Sequence, residues 1–197
     1  PLIGMNNQPI INLDNIGPVI FFKHNQLVLL ESEEFSSLEL FFAPINSTLN
    51  YLENNYSFRE YHMVGISGGG WVTTVYPALD SRISKSFSVA GSLPLSLRNI
   101  VDDVGDYEQF HPKLYSMANY FELYAMNSIG KDREFYQIFN KNDPCCFAGE
   151  TYKIYYEPLK KFVSQFDSGN FDIIIDDTHN EHIISDFSKE SIIEKLS

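Results

Sequence analysis

The segment Gly65-Ile66-Ser67-Gly68-Gly69 places one serine hydroxyl among glycines. It follows the apolar run 63–66, which predicts a short buried strand, and precedes residues 71–79, which predict a helix. A serine on the turn between a strand and a helix is exposed, and glycines are needed there because the turn is strained. Its hydroxyl becomes nucleophilic only when a base accepts its proton and N–H donors stabilise the resulting oxyanion. The pattern predicts Ser67 as a nucleophile and the backbone N–H of Gly68 as one oxyanion donor.

Two histidines that could serve as the base follow the predicted strand 171–175. His182 is favoured because its position suits a loop that leaves the sheet edge and enters a helix capped near Ser185. His179 is the alternative, since only one imidazole can accept the serine proton. The remaining histidines are His62, which precedes the nucleophile strand and is expected to be structural, and His24 and His111, which lie outside the series of alternating strands and helices whose ends carry the reactive residues.

An acid that orients the imidazole completes this chemistry. Asp143 lies just after the predicted strand 135–139 and before Pro144, so it is the favoured acid. An ordinary Asp-Pro turn would give the same sequence. Asp106, on the preceding connection, is the alternative.

Apolar periodicity predicts the elements that must position these side chains. Strands and helices alternate after residue 58, with short apolar strands and amphipathic helices. The predicted elements are a hairpin or a strand beside a loop over 19–22 and 27–30, a helix over 38–52 interrupted at Pro44, strands at 63–66, 86–90, 135–139 and 171–175, and helices at 71–79, 114–125, 152–166 (perturbed at Pro158) and 187–196.

The alternation predicts an α/β fold, a parallel sheet with helices on both faces. Ligands of such sheets bind at the carboxyl ends of the strands, where Ser67, Asp143 and His182 all fall. We expect one domain over 1–197. Residues 1–55 are expected to form an irregular lead-in, and residues 56–197 to carry the fold from the nucleophile turn to the catalytic histidine. The abrupt start at Pro1 suggests truncation at the N-terminus.

Composition excludes several classes of function. The 26 acidic and 14 basic residues give a net charge of −12, which argues against a nucleic-acid partner. No apolar run is long enough to predict a membrane span, so a soluble chain is expected, and it could be cytoplasmic or exported.

Cys145 and Cys146 are the only cysteines, and a bond between neighbours closes almost no loop, so no disulfide framework is expected. No third ligand at metal-binding spacing accompanies His179 and His182, so neither metal nor cofactor is predicted.

The order serine, acid, histidine and the segments GISGGGW, VAGSLP, NDPCCFAG and HIIS resemble the α/β-hydrolase superfamily, in particular an esterase-like branch of it. The resemblance implies a serine hydrolase that cleaves a small-molecule ester through Ser67, His182 and Asp143. A catalytically silent binding module with the same fold is the alternative. Only about 64 residues precede Gly65, fewer than the superfamily normally places there, so the resemblance implies the C-terminal part of that fold. An upstream segment or a second copy of the chain would then complete the sheet.

Overall fold

A computed structural model describes residues 7–98 and 104–197; the first six residues of the predicted lead-in lie outside the described part. The described backbone packs into two compact units, a smaller one of residues 7–57 and 104–114 and a larger one of residues 58–98 and 115–197. A compact unit is not necessarily an independently folding domain, so the single-domain expectation stays a prediction.

The smaller unit contains an antiparallel hairpin, a long helix and two 3₁₀ helices. Phe21, Leu27 and Tyr107 form its buried apolar cluster. The elements are β1 Ile10–Leu13, β2 Gly17–Ile20, a 3₁₀ helix His24–Leu30, α1 Glu39–Asn55 and a 3₁₀ helix Tyr107–Phe110.

The larger unit alternates strands and helices around one parallel sheet, with the strand order β3-β4-β5-β6. Its elements, with the helix that leads into it, are β3 Tyr61–Ile66, α2 Gly68–Leu79, β4 Ile83–Val89, a 3₁₀ helix Leu95–Leu97, α3 Pro112–Met117, α4 Tyr120–Ser128, β5 Glu134–Asn140, a 3₁₀ helix Thr151–Ile154, α5 Tyr156–Val163, β6 Asn170–Asp176 and α6 Asp186–Leu196.

Both faces of the sheet are covered by helices. On one face Phe87, Val89, Tyr136 and Ile138 pack with Ile192 of α6. The opposite face carries the alternate residues and packs against α2 and α4; there Ser88 Oγ accepts a hydrogen bond from Thr74 Oγ1 at 3.0 Å, Ser86 Oγ donates to Asn127 Oδ1 at 2.8 Å, and Tyr124 stacks on Phe171. The predicted fold class, a parallel α/β sheet with helices on both faces, is confirmed.

The predicted helix 114–125 is wrong as one continuous element, because it is divided into α3 and α4. The break occurs at Asn119, whose side chain accepts hydrogen bonds from the N–H groups of Phe121 and Glu122. Glu122 in turn accepts from the Asn119 N–H. This reciprocal capping box starts a new helix, so the apolar spacing of three and four hid a cap.

The lead-in is more regular than expected. Residues 27–30, expected in a hairpin or a loop, belong to a 3₁₀ helix, because Gln26 Oε1 accepts hydrogen bonds from the N–H groups of Phe22 and Lys23 and folds the chain back. The hairpin instead joins β1 to β2. Helix α1 also continues through Pro44, where we expected an interruption. A proline near the start of a long helix removes only one of its hydrogen bonds.

Candidate active site

Ser67 occupies a strained turn between β3 and α2 at the carboxyl end of the sheet. Its φ of 57° lies in the left-handed region, which non-glycine residues adopt at a cost. The Ser67 N–H donates to the carbonyl of Val89 on β4 at 3.0 Å, and its carbonyl accepts from Trp71 N–H in the first turn of α2 at 2.9 Å. The two bonds fix the turn from both sides, so the strained conformation is imposed by the strand and the helix that flank it.

Glycine is required at two positions of this turn for steric reasons. A Cβ atom on Gly65 would lie 2.2 Å from the carbonyl oxygen of Gly69, and one on Gly70 would lie 2.7 Å from Cα of Gly91. Gly68 and Gly69 have open space where a Cβ would stand. Close approach of α2 to β3 and β4 therefore depends on Gly65, Gly70 and Gly91.

Gly68 is the first residue of α2, directly after Ser67. The first N–H groups of an α-helix have no acceptor within the helix, and they form its positive end. The N–H predicted as an oxyanion donor is therefore available at the amino end of a helix. The surface here is open, since Gly68 and Gly69 are exposed.

Asp143 and His182 are brought together at the same edge of the sheet. His182 Nδ1 lies 2.7 Å from Asp143 Oδ2, and the Asp143 side chain is fully buried. The other carboxylate oxygen, Oδ1, accepts the N–H groups of Cys145 at 2.7 Å and Cys146 at 3.1 Å. The acid is held by the turn that follows it, so its geometry does not depend on the histidine alone.

The hydrogen bond to Asp143 determines which imidazole nitrogen of His182 is basic. An ionised carboxylate only accepts hydrogen bonds, so Nδ1 is the donor and carries the proton. The lone pair of the neutral ring then lies on Nε2. This atom is buried, and among the described residues it has no hydrogen-bond partner. His182 therefore presents a free basic nitrogen.

Asn140, the last residue of β5, is a positioning residue that sequence reasoning missed. Its buried side-chain amide donates to Asp143 Oδ2 at 3.3 Å and to the carbonyl of Ile183 at 2.9 Å. It thereby links the acid to the loop that carries His182. The signal was present in the sequence, because a polar residue that ends a buried strand lies at the same edge as the acid that follows it.

His179, the alternative base, has a different environment. Its Nδ1 accepts the N–H of Glu181 at 3.0 Å, so Nε2 carries the proton. Nε2 lies 3.3 Å from Asp176 Oδ2, but like Nε2 of His182 it has no hydrogen-bond partner among the described residues. Neither nitrogen then has a free lone pair. Asp176 is fully buried at the end of β6 and accepts hydrogen bonds from Ser185, Thr178 and Ser188. Burial raises the pKa of Asp176, but these hydrogen bonds outweigh that effect and lower it to about 2.

Asp106, the alternative acid, belongs to the smaller unit. Its Oδ2 lies 3.9 Å from His24 Nδ1, and its side chain is about half exposed. Burial and the nearby Glu108 raise the pKa of Asp106, while His24 opposes the shift. The described contacts of Asp106 are thus with a histidine other than the two base candidates.

Cys145 and Cys146 form a disulfide with each other. The bond joins neighbouring residues and closes almost no loop, so it adds no framework to the fold. Both sulfurs and one ring nitrogen of His182 lie within 4.8 Å of one another. Disulfide sulfurs are not thiolates, the form in which cysteine binds metals, so the bonded pair is a poor ligand set.

Tyr120 and Tyr124 of α4 belong to the core, and Tyr115 of α3 is half-buried beside Tyr120. Tyr115 OH accepts from Trp71 Nε1 and donates to Tyr120 OH, both at 2.8 Å. Tyr124 is fully buried among Phe135, Tyr155 and Phe171. Tyr124 is therefore part of the packing between α4 and the sheet.

No helix within the described ranges has the length and apolarity that crossing a membrane requires.

Comparison with known proteins gives a distant likeness in fold. No protein-family model matches the chain, and no curated protein sequence matches it. Among solved structures, Est1E from Butyrivibrio proteoclasticus aligns with a TM-score of 0.47 at 13% identity, covering 77% of this chain and 68% of that one. Est1E with ferulic acid bound aligns with a TM-score of 0.48 at 13% identity, covering 78% of this chain and 66% of that one.

Proposed function

We propose that the chain carries the catalytic residues of a serine hydrolase that cleaves a small-molecule carboxylic ester, with Ser67 as nucleophile, His182 as base and Asp143 as the acid that orients the base. The observation that carries the proposal is the pair His182 and Asp143, joined at 2.7 Å with Nε2 of the imidazole free. This pair lies after β5 and β6, at the sheet edge where Ser67 follows β3. A strained, partly exposed serine and an oriented imidazole at one edge are the parts that acyl transfer needs.

In the first half of the reaction, Ser67 Oγ attacks the carbonyl carbon of the ester while His182 Nε2 accepts its proton. The carbonyl oxygen becomes an oxyanion, which the N–H of Gly68 and the positive end of α2 stabilise. Asp143 stays ionised and stabilises the imidazolium through its hydrogen bond to Nδ1. The ester bond then breaks, and His182 returns the proton to the departing alcohol.

In the second half, water takes the place of the alcohol. His182 Nε2 accepts a proton from this water, whose oxygen attacks the acyl-serine. The second tetrahedral intermediate collapses, His182 protonates Ser67 Oγ, and the carboxylic acid leaves. Both halves use the same nitrogen, which must therefore lack any other strong partner. Catalytic hydrogen bonds often tighten only when substrate binds, so the absence of a Ser67–His182 hydrogen bond is compatible with this sequence of steps.

Hydrolysis of a p-nitrophenyl ester of a short carboxylic acid tests the proposal. Ser67→Ala is expected to remove turnover above background while the far-UV circular dichroism spectrum is unchanged, because a partly exposed hydroxyl contributes little to packing. Ser168→Ala, at an exposed serine of the same unit, is the matched control and should keep full turnover. Turnover retained by a folded Ser67→Ala variant would remove Ser67 from the mechanism. No turnover by the folded wild-type chain would favour the silent binding module.

A further inference from the structure

Three potential metal ligands meet in the smaller unit, in a cluster formed by His24, Asp106 and Glu108. His24 begins the first 3₁₀ helix, and the two acids flank the start of the second. His24 Nδ1 lies 2.9 Å from Glu108 Oε1 and 3.9 Å from Asp106 Oδ2. One ligand atom from each residue lies within 4.8 Å of the other two.

Glu108 is the member of this cluster that its protein neighbours do not satisfy. Its side chain is only 2% exposed. Oε1 is paired with His24, but Oε2 is buried and has no hydrogen-bond partner among residues 7–98 and 104–197. Buried carboxylate oxygens are normally paired, because leaving one without a partner costs free energy. Glu108 therefore has one buried acceptor that the described residues leave without a partner.

The cluster also holds more acceptors than donors. Two carboxyl groups face one imidazole, and the same ring nitrogen, Nδ1, lies near both of them. A proton on His24 Nδ1 gives Glu108 Oε1 a hydrogen-bond donor but leaves Oε2 without one. A divalent cation would accept electron pairs from both acids and from the neutral imidazole.

We propose that His24, Asp106 and Glu108 bind a divalent first-row transition-metal cation, with Zn²⁺ as the representative. An imidazole nitrogen with two carboxylates is a mixed N/O set that suits Zn²⁺ better than Mg²⁺, which prefers oxygen. Ligand atoms around tetrahedral Zn²⁺ lie about 3.4 Å apart, given bond lengths of about 2.1 Å. The cluster reaches this spacing with small side-chain movements, chiefly of the half-exposed Asp106. Three protein ligands leave the fourth position to water.

The bound cation joins two segments that are far apart in the sequence, residue 24 and residues 106–108. It therefore stabilises the smaller unit, and this inference is independent of the proposed hydrolase activity. A ligand that binds only the folded state raises the melting temperature.

Calorimetric titration of the chelator-treated, dialysed 197-residue chain with ZnCl₂ tests the site. We expect one equivalent of Zn²⁺ to bind and to raise the melting temperature, and an equal concentration of MgCl₂ to do neither. Asp106→Asn and Glu108→Gln should each weaken Zn²⁺ binding by more than about tenfold, the loss that follows removal of even an outer-shell partner. Glu33→Gln, at an exposed acid of the same unit, is the control and should bind as the wild type does.

Asp106→Asn keeps this test decisive, because the side chain is half exposed and the amide preserves its size, so the variant should fold. No binding of Zn²⁺ by the wild type would overturn the site. Equal affinity of the wild type and a folded Asp106→Asn variant would overturn it as well, because the heat would then come from other residues.

Discussion

From donors within the described part of the chain, the Asp143 carboxylate accepts four hydrogen bonds, two on each oxygen. Its donors are the N–H groups of Cys145 and Cys146, the amide of Asn140 and the ring N–H of His182. Donors on both carboxylate oxygens fix the plane of the group. A carboxylate held in this way can orient an imidazole without itself moving.

Histidine variants test which imidazole is the base. His182→Ala should lower kcat by at least about 10³-fold, because it removes the imidazole whose Nδ1 is held by Asp143 and whose Nε2 can accept the serine proton. His179→Ala should lower kcat far less, since that ring is hydrogen-bonded to Glu181 and lies against Asp176. The measurement is steady-state ester hydrolysis by both variants, with circular dichroism to establish folding. A larger loss for a folded His179→Ala would move the role of base to His179.

The charge of Asp143 can be removed with almost no change in size. Asp143→Asn should lower kcat by about 10³- to 10⁴-fold with little change in KM, because an amide donor facing Nδ1 favours the tautomer with its proton on Nε2. Asp167→Asn, at an exposed aspartate, is the control. Asp106→Asn should also leave turnover near normal. A severe loss at Asp106 with near-normal turnover at Asp143 would make Asp106 the acid.

At the scale of elements, parallel strands bring distant segments to one edge. Ser67 follows β3, Asp143 follows β5 and His182 follows β6, so about 115 residues of sequence converge on one edge of the sheet. The strand ends could be predicted because each apolar run is short and bounded by polar residues. Packing then sets how closely neighbouring elements approach one another, as the close approach of α2 to β3 and β4 shows.

Glycine variants test that close approach. Gly65→Ala should destabilise the chain by about 1–3 kcal/mol, the range for forced overpacking, since its Cβ would meet the Gly69 carbonyl at 2.2 Å. Gly69→Ala, with open space at its Cβ, should leave stability unchanged or raise it by up to about 1 kcal/mol, because alanine favours the helix. Urea unfolding midpoints measure both changes. Equal midpoints for the two variants would contradict the packing argument.

The end of β6 predicts a pH dependence of stability. The pKa of Asp176 is lowered from 3.8 to about 2, so its ionised form stabilises the folded state above about pH 4, and this contribution is lost as the pH falls towards 2. Asp176→Asn should therefore lower the urea midpoint at pH 7. The gap, meaning the difference between the midpoints of this variant and the wild type, should narrow below about pH 4. Asp177→Asn, two-thirds exposed, should show no such gap. A gap for Asp176→Asn that stays constant from pH 7 to pH 3 would contradict the assignment.

At the scale of the whole molecule, sequence predicted the four strands of the parallel sheet, and the candidate residues Ser67, Asp143 and His182 follow three of them. It did not predict the helix break at Asn119, the continuous helix through Pro44 or the 3₁₀ helix at His24–Leu30. The helix break and the 3₁₀ helix depend on local side-chain hydrogen bonds, and the continuous helix depends on the small effect of losing one hydrogen bond. Apolar periodicity carries no information about either. The cluster of His24, Asp106 and Glu108 was also missed, because His24 is about 80 residues from the two acids and no predicted pairing joins their segments.

Labelling with a fluorophosphonate probe tests the central claim most directly, because the probe reacts with an activated serine whatever the natural substrate is. We predict one covalent adduct on the 197-residue chain, mapped by mass spectrometry to Ser67, absent from Ser67→Ala and strongly slowed in His182→Ala. Ser168→Ala should label at the wild-type rate. A folded wild-type chain that does not react, or a Ser67→Ala variant that labels as fast as the wild type, would contradict the assignment of Ser67 as a catalytic nucleophile.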